Sequence, residues 1–208
     1  MSLTGKNNEE KIWNFLTGKG LNSYGAAGLM GNLFAESGLN PHNLQNTYER
    51  KLGYTDDSYT DAVDCGKYTG FTHDSAGYGL AQWTYWSRKE ALLNYVKTAG
   101  ASIGDLETQL GFLWKELGEN YAAVLATLKK ATSVRQASDA VLLKYEQPKD
   151  QSASVQTKRA SYGQTYFDKY ATKTTNDTQG GKTMSNSPLV DCTVYSPNHS
   201  GKRTHSID

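Results

Sequence analysis

From Asn7 to Thr17 the apolar residues Ile12, Trp13, Phe15 and Leu16 recur at helical spacing. Glu9 and Glu10 stand in what becomes the first turn, where a carboxylate meets the positive end of the helix dipole. Gly18 to Leu21 breaks this pattern, and Asn22 or Ser23 offers a cap for a second helix. The run Ala26-Ala27-Gly28-Leu29-Met30-Gly31-Asn32-Leu33-Phe34-Ala35 is apolar nearly throughout, which marks a buried helix; Gly38 and Pro41 stop it. Between Asn43 and Phe71 the chain turns polar and Tyr-rich, with Asp56, Asp57, Asp61 and Asp64 at intervals, and reads as an irregular lobe or a pair of short helices over a groove.

Gly77-Tyr78-Gly79-Leu80-Ala81-Gln82-Trp83-Thr84 is too glycine-rich for a helix and suits a turn or short hairpin. Helical periodicity then returns over Ser87 to Thr98, Ile103 to Leu117, Asn120 to Lys130, Ser133 to Tyr145 and Val155 to Tyr170. The pattern predicts a mainly α fold with at most a small β element near residues 68 to 85. From Thr172 to Ser187 Thr, Asn, Gly, Lys and Ser take over, a composition that cannot bury enough surface to fold alone. The expected organisation is one domain over 4–171, a linker over 172–187 and a tail over 188–208 that opens a second, truncated domain.

Charge narrows the choice of partners. Lys and Arg number 22 against 21 Asp and Glu, and no basic stripe stands out, so nucleic acid is not an expected partner. No apolar run of membrane-spanning length occurs, and the N-terminus has no signal-peptide pattern, so neither membrane insertion nor export by its own signal is expected. Recognition must then come from neutral contacts. The 14 Tyr and 4 Trp supply flat amphipathic surfaces on which sugar rings stack, although most such rings belong to a core. Cys65 and Cys192 are far apart and form no Cys-x-x-Cys pair, so neither zinc nor redox chemistry is expected, and free thiols are expected rather than a disulfide between the two. His42, His73, His199 and His205 have no second ligand at metal-binding spacing, and no metal or cofactor is expected.

Glu36 is the first candidate for chemistry. A carboxyl in the last turn of a buried helix faces the negative end of the dipole, and apolar walls would strip its hydration; both favour the protonated acid. A solvated Glu beside a C-terminal turn is the competing reading. Gln82 can donate and accept hydrogen bonds at an N-acetyl group, or pin its own turn. Thr84 can hold a water or a sugar hydroxyl, and Tyr78, Trp83 and Trp86 are either sugar platforms or packing residues. Asp74, just ahead of the glycine-rich segment, is a candidate second carboxylate, or a turn cap beside His73 and Ser75. Tyr145 and Glu146, ahead of Pro148, end a helix that reaches toward the same groove. Cys65 with His73 would make a thiol peptidase, but no helix N-terminus activates that thiol.

Glu36-Ser37-Gly38-Leu39-Asn40-Pro41 followed by Gly79-Leu80-Ala81-Gln82 resembles the paired motifs of the lytic transglycosylase and goose-type lysozyme superfamily, a catalytic Glu-Ser and a later Gly-Leu-Met-Gln. More closely, the stretch from about Glu10 to Ala171 resembles the phage tail lysozyme family of phage tail proteins and endolysins. The resemblance implies a lysozyme-like helical domain acting on bacterial peptidoglycan glycan strands, from a virion or from the host cytoplasm at lysis. It makes Glu36 the general acid, with Ser37 beside it, and Gln82 the sugar-binding amide near the scissile bond; Ala81 replaces the superfamily's methionine. The implied activity is cleavage of the β-1,4 bond between N-acetylmuramic acid and N-acetylglucosamine, by hydrolysis or by transglycosylation to an anhydro sugar. A non-catalytic wall-binding module is the reading from another class. Residues 186–208 resemble the lead-in to an N-acetylmuramoyl-L-alanine amidase domain whose zinc ligands would lie beyond Asp208.

Overall fold

Helix α1 spans Asn8–Gly18, with the Asn7 side chain accepting the Glu10 amide at 3.0 Å. Helix α2 spans Ser23–Ser37, capped by Asn22 through the Gly25 amide at 2.9 Å. Two short helices, α3 at Asn46–Leu52 and α4 at Asp56–Asp64, form the polar lobe. They are followed by α5 at Trp86–Ala99, α6 at Leu106–Glu119, α7 at Ala122–Lys130, α8 at Val134–Val141 and α9 at Ala153–Tyr170. This computed structural model describes residues 2–171. The expected linker and amidase-like tail, with Cys192, His199 and His205, lie outside the described residues. The mainly α expectation holds, and helix ends differ from the sequence reading by a few residues.

Helix α2 is the axis of the core, and its glycines explain how three helices crowd around it. Gly25, Gly28 and Gly31 recur every third residue, and each faces a different neighbour. A Cβ on Gly25 would lie 2.0 Å from the Leu128 carbonyl oxygen of α7. On Gly28 it would lie 2.5 Å from Ala137 Cβ of α8, and on Gly31 2.5 Å from the Arg159 carbonyl oxygen of α9. Leu29, Met30 and Leu33 fill the remaining directions and are fully buried, each such side chain contributing about 1.5–3 kcal/mol. Gly38, left-handed at φ 63, ends the helix by returning its amide to Phe34 at 2.9 Å.

The helix expected over Ser133 to Tyr145 is real only in its first half. After α8 the chain widens into a π-turn at Leu142–Glu146, closed by the Gln147 amide on the Leu142 carbonyl at 2.9 Å. Gln147 then reverses the chain at φ 48. The lobe is fastened rather than loose: Asp56 accepts from Asn40 Nδ2 at 2.9 Å and from the Leu44 amide at 2.8 Å, and Asp64 accepts the Ile103 amide at 2.9 Å. The small β element reduces to antiparallel bridges of Tyr78 with Leu44 and with Trp83, which fold residues 77–84 into a tight reversal against residues 43–45.

Candidate active site

Glu36 occupies the last turn of α2, and a guanidinium rather than an apolar wall stands beside it. Arg159 Nη1, from α9, lies 2.5 Å from Glu36 Oε1, and both side chains are largely buried. The same Nη1 reaches Asn32 Oδ1 at 3.3 Å, and Asn32, one turn earlier on α2, donates to Gly28 O at 2.9 Å and to Ser138 O and Oγ at 3.1 Å. Asn32 thus ties α2, α8 and α9 at the point where Arg159 must be aimed. A buried amide with its groups satisfied can fix direction in this way, because any rotation leaves an unpaired polar atom.

Ser37 does for the backbone what Arg159 does for the carboxylate. Its buried hydroxyl sits 3.1 Å from Leu33 O and 2.9 Å from Leu80 O, so the turn carrying Glu36 is fastened to the loop carrying Gln82. Gln109, fully buried on α6, completes the clamp: Oε1 accepts the Leu80 amide at 2.9 Å, and Nε2 donates to Pro41 O and Ile103 O at 2.6 Å. Gly79 must be glycine here, since φ is 75 and a Cβ would meet the Gln109 amide at 2.7 Å.

Gln82 itself adopts φ 45, a conformation rare outside glycine. Its Nε2 donates to Asn43 O at 3.0 Å, Asn43 Oδ1 at 2.9 Å and Gly79 O at 3.2 Å, so this end of the amide pins the turn. The other end, Oε1, lies where a Cβ on residue 77 would be only 2.7 Å away, and only glycine leaves it room.

Behind the loop a buried carboxylate gathers four donors. Glu116, on α6, accepts Arg88 Nε at 2.6 Å and Nη2 at 2.8 Å, Trp83 Nε1 at 3.1 Å and the Tyr145 hydroxyl at 2.6 Å. Burial works to raise this carboxyl, but the Arg88 guanidinium and the two neutral donors outweigh it and hold it below the ordinary Glu range. Arg88 also lies over the Tyr145 ring, 4.8 Å from its centroid. Glu146, next to Tyr145, has the opposite fate. Its Oε1 is buried without a hydrogen-bond partner, and burial, reinforced by the negative charge of Glu36, pushes the carboxyl well above its usual range against the pull of Arg88 and Arg159.

The remaining sequence candidates divide by exposure. Trp83 and Tyr78 are fully buried and Tyr145 nearly so, with their polar tips spent on Glu116, Thr60 and Glu116 respectively; no face is left for a sugar ring. They shape the loop instead. Trp86, 50% exposed, and Tyr85, 63% exposed, offer open aromatic surface just after Gln82. Thr84 is exposed and donates to Gln82 O at 2.9 Å. Tyr24 and Phe34, on α2, form a second partly exposed aromatic strip with Phe167 and Tyr162 of α9.

Asp74 is held in the interior rather than offered to substrate. It pairs with buried Lys89 at 2.6 Å, accepts the Ala76 amide at 2.9 Å and the Tyr68 hydroxyl at 3.1 Å, and takes a further hydrogen bond from Tyr59. Burial lowers the Lys89 ammonium despite Asp74, and burial together with Asp74 raises Tyr68 to about 12. With its oxygens engaged, Asp74 holds the turn. Cys65 is disulfide-bonded, which corrects the expectation of a free thiol and removes the nucleophile that a peptidase with His73 would need. Among the described residues no cluster of three or more His, Cys, Asp or Glu is placed to hold a metal ion, and no helix is long and apolar enough to cross a membrane.

Arg88, Gln109, Glu116 and Arg159 escaped the sequence reading. A signal did exist for two of them: Gln109 and Glu116 fall on the helical face of Leu113 and Leu117, where a polar residue on an apolar stripe announces a buried partner. Arg88 and Arg159 stand in polar stretches that look solvated.

No curated protein matches this chain. The family model described as phage tail lysozyme matches residues 7–170, nearly the whole described chain, and the chain therefore belongs to the phage tail lysozyme family, whose lysozyme-like function is the degradation of peptidoglycan.

Proposed function

We propose that the chain cleaves the β-1,4 bond between N-acetylmuramic acid and N-acetylglucosamine, with Glu36 as the general acid. The observation that carries this reading is the Ser37 to Leu80 hydrogen bond, which locks the Glu36 turn to the Gln82 loop. Protonation of the bridging oxygen lets the glycosidic bond break, the oxygen keeping the electron pair, while an oxocarbenium-like centre develops at the anomeric carbon left behind. Arg159 holds Oε1 of Glu36, which leaves Oε2 as the oxygen assigned to the proton transfer. Gln82 Oε1 accepts from a sugar amide or hydroxyl, and Trp86 and Tyr85 give rings a surface to lie on. The chain would act on the wall from a virion or after release from the host cytoplasm.

Transglycosylation is the second reading, and the engagement of Asp74 favours it. Consumed by Lys89, Tyr59 and Tyr68, Asp74 is not at hand to activate water, and a single Glu serves as acid and then as base. Mass spectrometry of fragments released from purified glycan strands tests both. Muropeptides with a reducing end support hydrolysis, fragments lighter by one water support transglycosylation, and release of free peptides alone overturns the glycosidase reading.

A further inference from the structure

Two side-chain oxygens of the Gln82 loop converge on one position, and neither side chain has a proton left to give there. Gln82 turns Nε2 toward Asn43 O at 3.0 Å, Asn43 Oδ1 at 2.9 Å and Gly79 O at 3.2 Å. Backbone carbonyls only accept, so the amide cannot be reversed without setting Oε1 against them. Thr84 Oγ1 donates its one proton to Gln82 O at 2.9 Å, and that side chain too is left with lone pairs alone. Gly77 brings the two acceptors together. The point that a Cβ on residue 77 would occupy lies 2.7 Å from Gln82 Oε1 and 3.2 Å from Thr84 Oγ1. Gly77 lies outside the left-handed region, unlike Gly79 at φ 75, so nothing in its backbone calls for glycine and the missing side chain serves space alone. Gln82 is half-buried and Thr84 exposed, which leaves the pair open to solvent.

The geometry points to a subsite that takes two neighbouring donors of one sugar ring, with Thr84 as the residue that determines which sugar. This rests on the reading of the groove as a site for peptidoglycan glycan, and it names the ring that lies against the Gln82 loop. N-acetylglucosamine carries an amide N–H on C2 and a hydroxyl on C3, side by side. N-acetylmuramic acid has the same N–H, but its C3 oxygen is an ether and has no proton. The N–H points where the ring sets it and needs an acceptor of fixed direction, which is the pinned Gln82 Oε1. A hydroxyl proton turns freely and meets Thr84 Oγ1 at the exposed edge. N-acetylglucosamine therefore satisfies both oxygens, whereas N-acetylmuramic acid leaves Thr84 without a donor.

Calorimetric binding of chitotriose, three linked N-acetylglucosamines, and of its 3-O-methylated form tests this without turnover. Thr84→Val keeps the shape and loses the oxygen, while Thr84→Ser keeps the oxygen. Chitotriose binding should weaken about two- to tenfold in Thr84→Val, the worth of one hydrogen bond, and recover in Thr84→Ser. The 3-O-methylated ligand should bind the unaltered chain and Thr84→Val alike, since its ether has no proton to give. Equal weakening of both ligands assigns Thr84 to the fold of the loop and overturns the subsite. Unchanged chitotriose binding in Thr84→Val, or no chitotriose binding by the unaltered chain, overturns it as well. The glycosidase reading fails on a different result, the release of free peptides alone, so the two failures are told apart.

Discussion

Arg159 Nη1 contacts Glu36 Oε1 at 2.5 Å while reaching back to Asn32 Oδ1 at 3.3 Å, so one nitrogen joins the candidate acid to the helix that carries it. Arg159→Met cuts that link. The expected cost is about 1.5–3 kcal/mol, the worth of a charge-assisted hydrogen bond, measured by urea unfolding. Wall clearing should fall further than stability alone explains, because Glu36 is then free to swing. A variant as stable and as active as the parent speaks against the clamp.

Ser37→Ala removes a hydroxyl and leaves the Leu80 carbonyl without its side-chain partner. Stability should fall by about 1 kcal/mol. Clearing should fall by about tenfold to a hundredfold, since a displacement of roughly 1 Å between acting groups has that effect. The informative comparison is kcat against melting temperature. Equal, small losses in both assign Ser37 to packing alone.

Gly31→Ala places a methyl against the Arg159 carbonyl of α9, with backbone atoms on all sides and no flexible side chain to yield. Destabilisation of about 1–3 kcal/mol or more is expected from overpacking. Because the strained helix is the one that carries Arg159, activity should drop in parallel. Calorimetric melting that leaves the transition in place contradicts the close packing of α2 and α9.

Glu116 controls the response to acid. Its folded carboxyl lies below the unfolded value of 4.5 because of Arg88, Tyr145 and Trp83, which prevail over the burial that would raise it. The unfolded chain therefore binds the proton first as pH falls. The stability contributed by Glu116 is fully present above 4.5 and is lost as pH falls through the lowered folded value. Urea unfolding across this acid range should show that loss in the parent and not in Glu116→Gln. The variant should also be weaker near neutrality by about 3–5 kcal/mol, since it leaves the Arg88 guanidinium buried without its counter-ion.

How much of this was legible before folding follows from where each signal resides. The helices were readable because their periodicity is local: Ile12, Trp13 and Leu16 lie on one face whatever else the chain does. The path from Glu36 to the Gln82 loop was readable as two motifs, but not the hydroxyl that joins them, because Ser37 and Leu80 are 43 residues apart. The surroundings of Asp74 and Glu146 were hidden for the same reason. Lys89, Tyr59 and Tyr68 converge on Asp74 only in the fold, whereas Glu146 keeps a bare oxygen because the π-turn carries it past its neighbours. No residue pattern distinguishes that turn from the α-helix it interrupts. The glycine spacing at 25, 28 and 31 did carry information, since it marks a face with room only for another backbone.

On the proposed reading, Glu36 gives up the proton that breaks the glycan. Glu36→Gln keeps shape and hydrogen-bonding capacity while removing that proton, so wall clearing and wall binding should be measured on the same preparation. Clearing should fall by at least about a hundredfold, the reach of general acid catalysis, with binding retained. Clearing at the parent's rate by a correctly folded Glu36→Gln contradicts that reading.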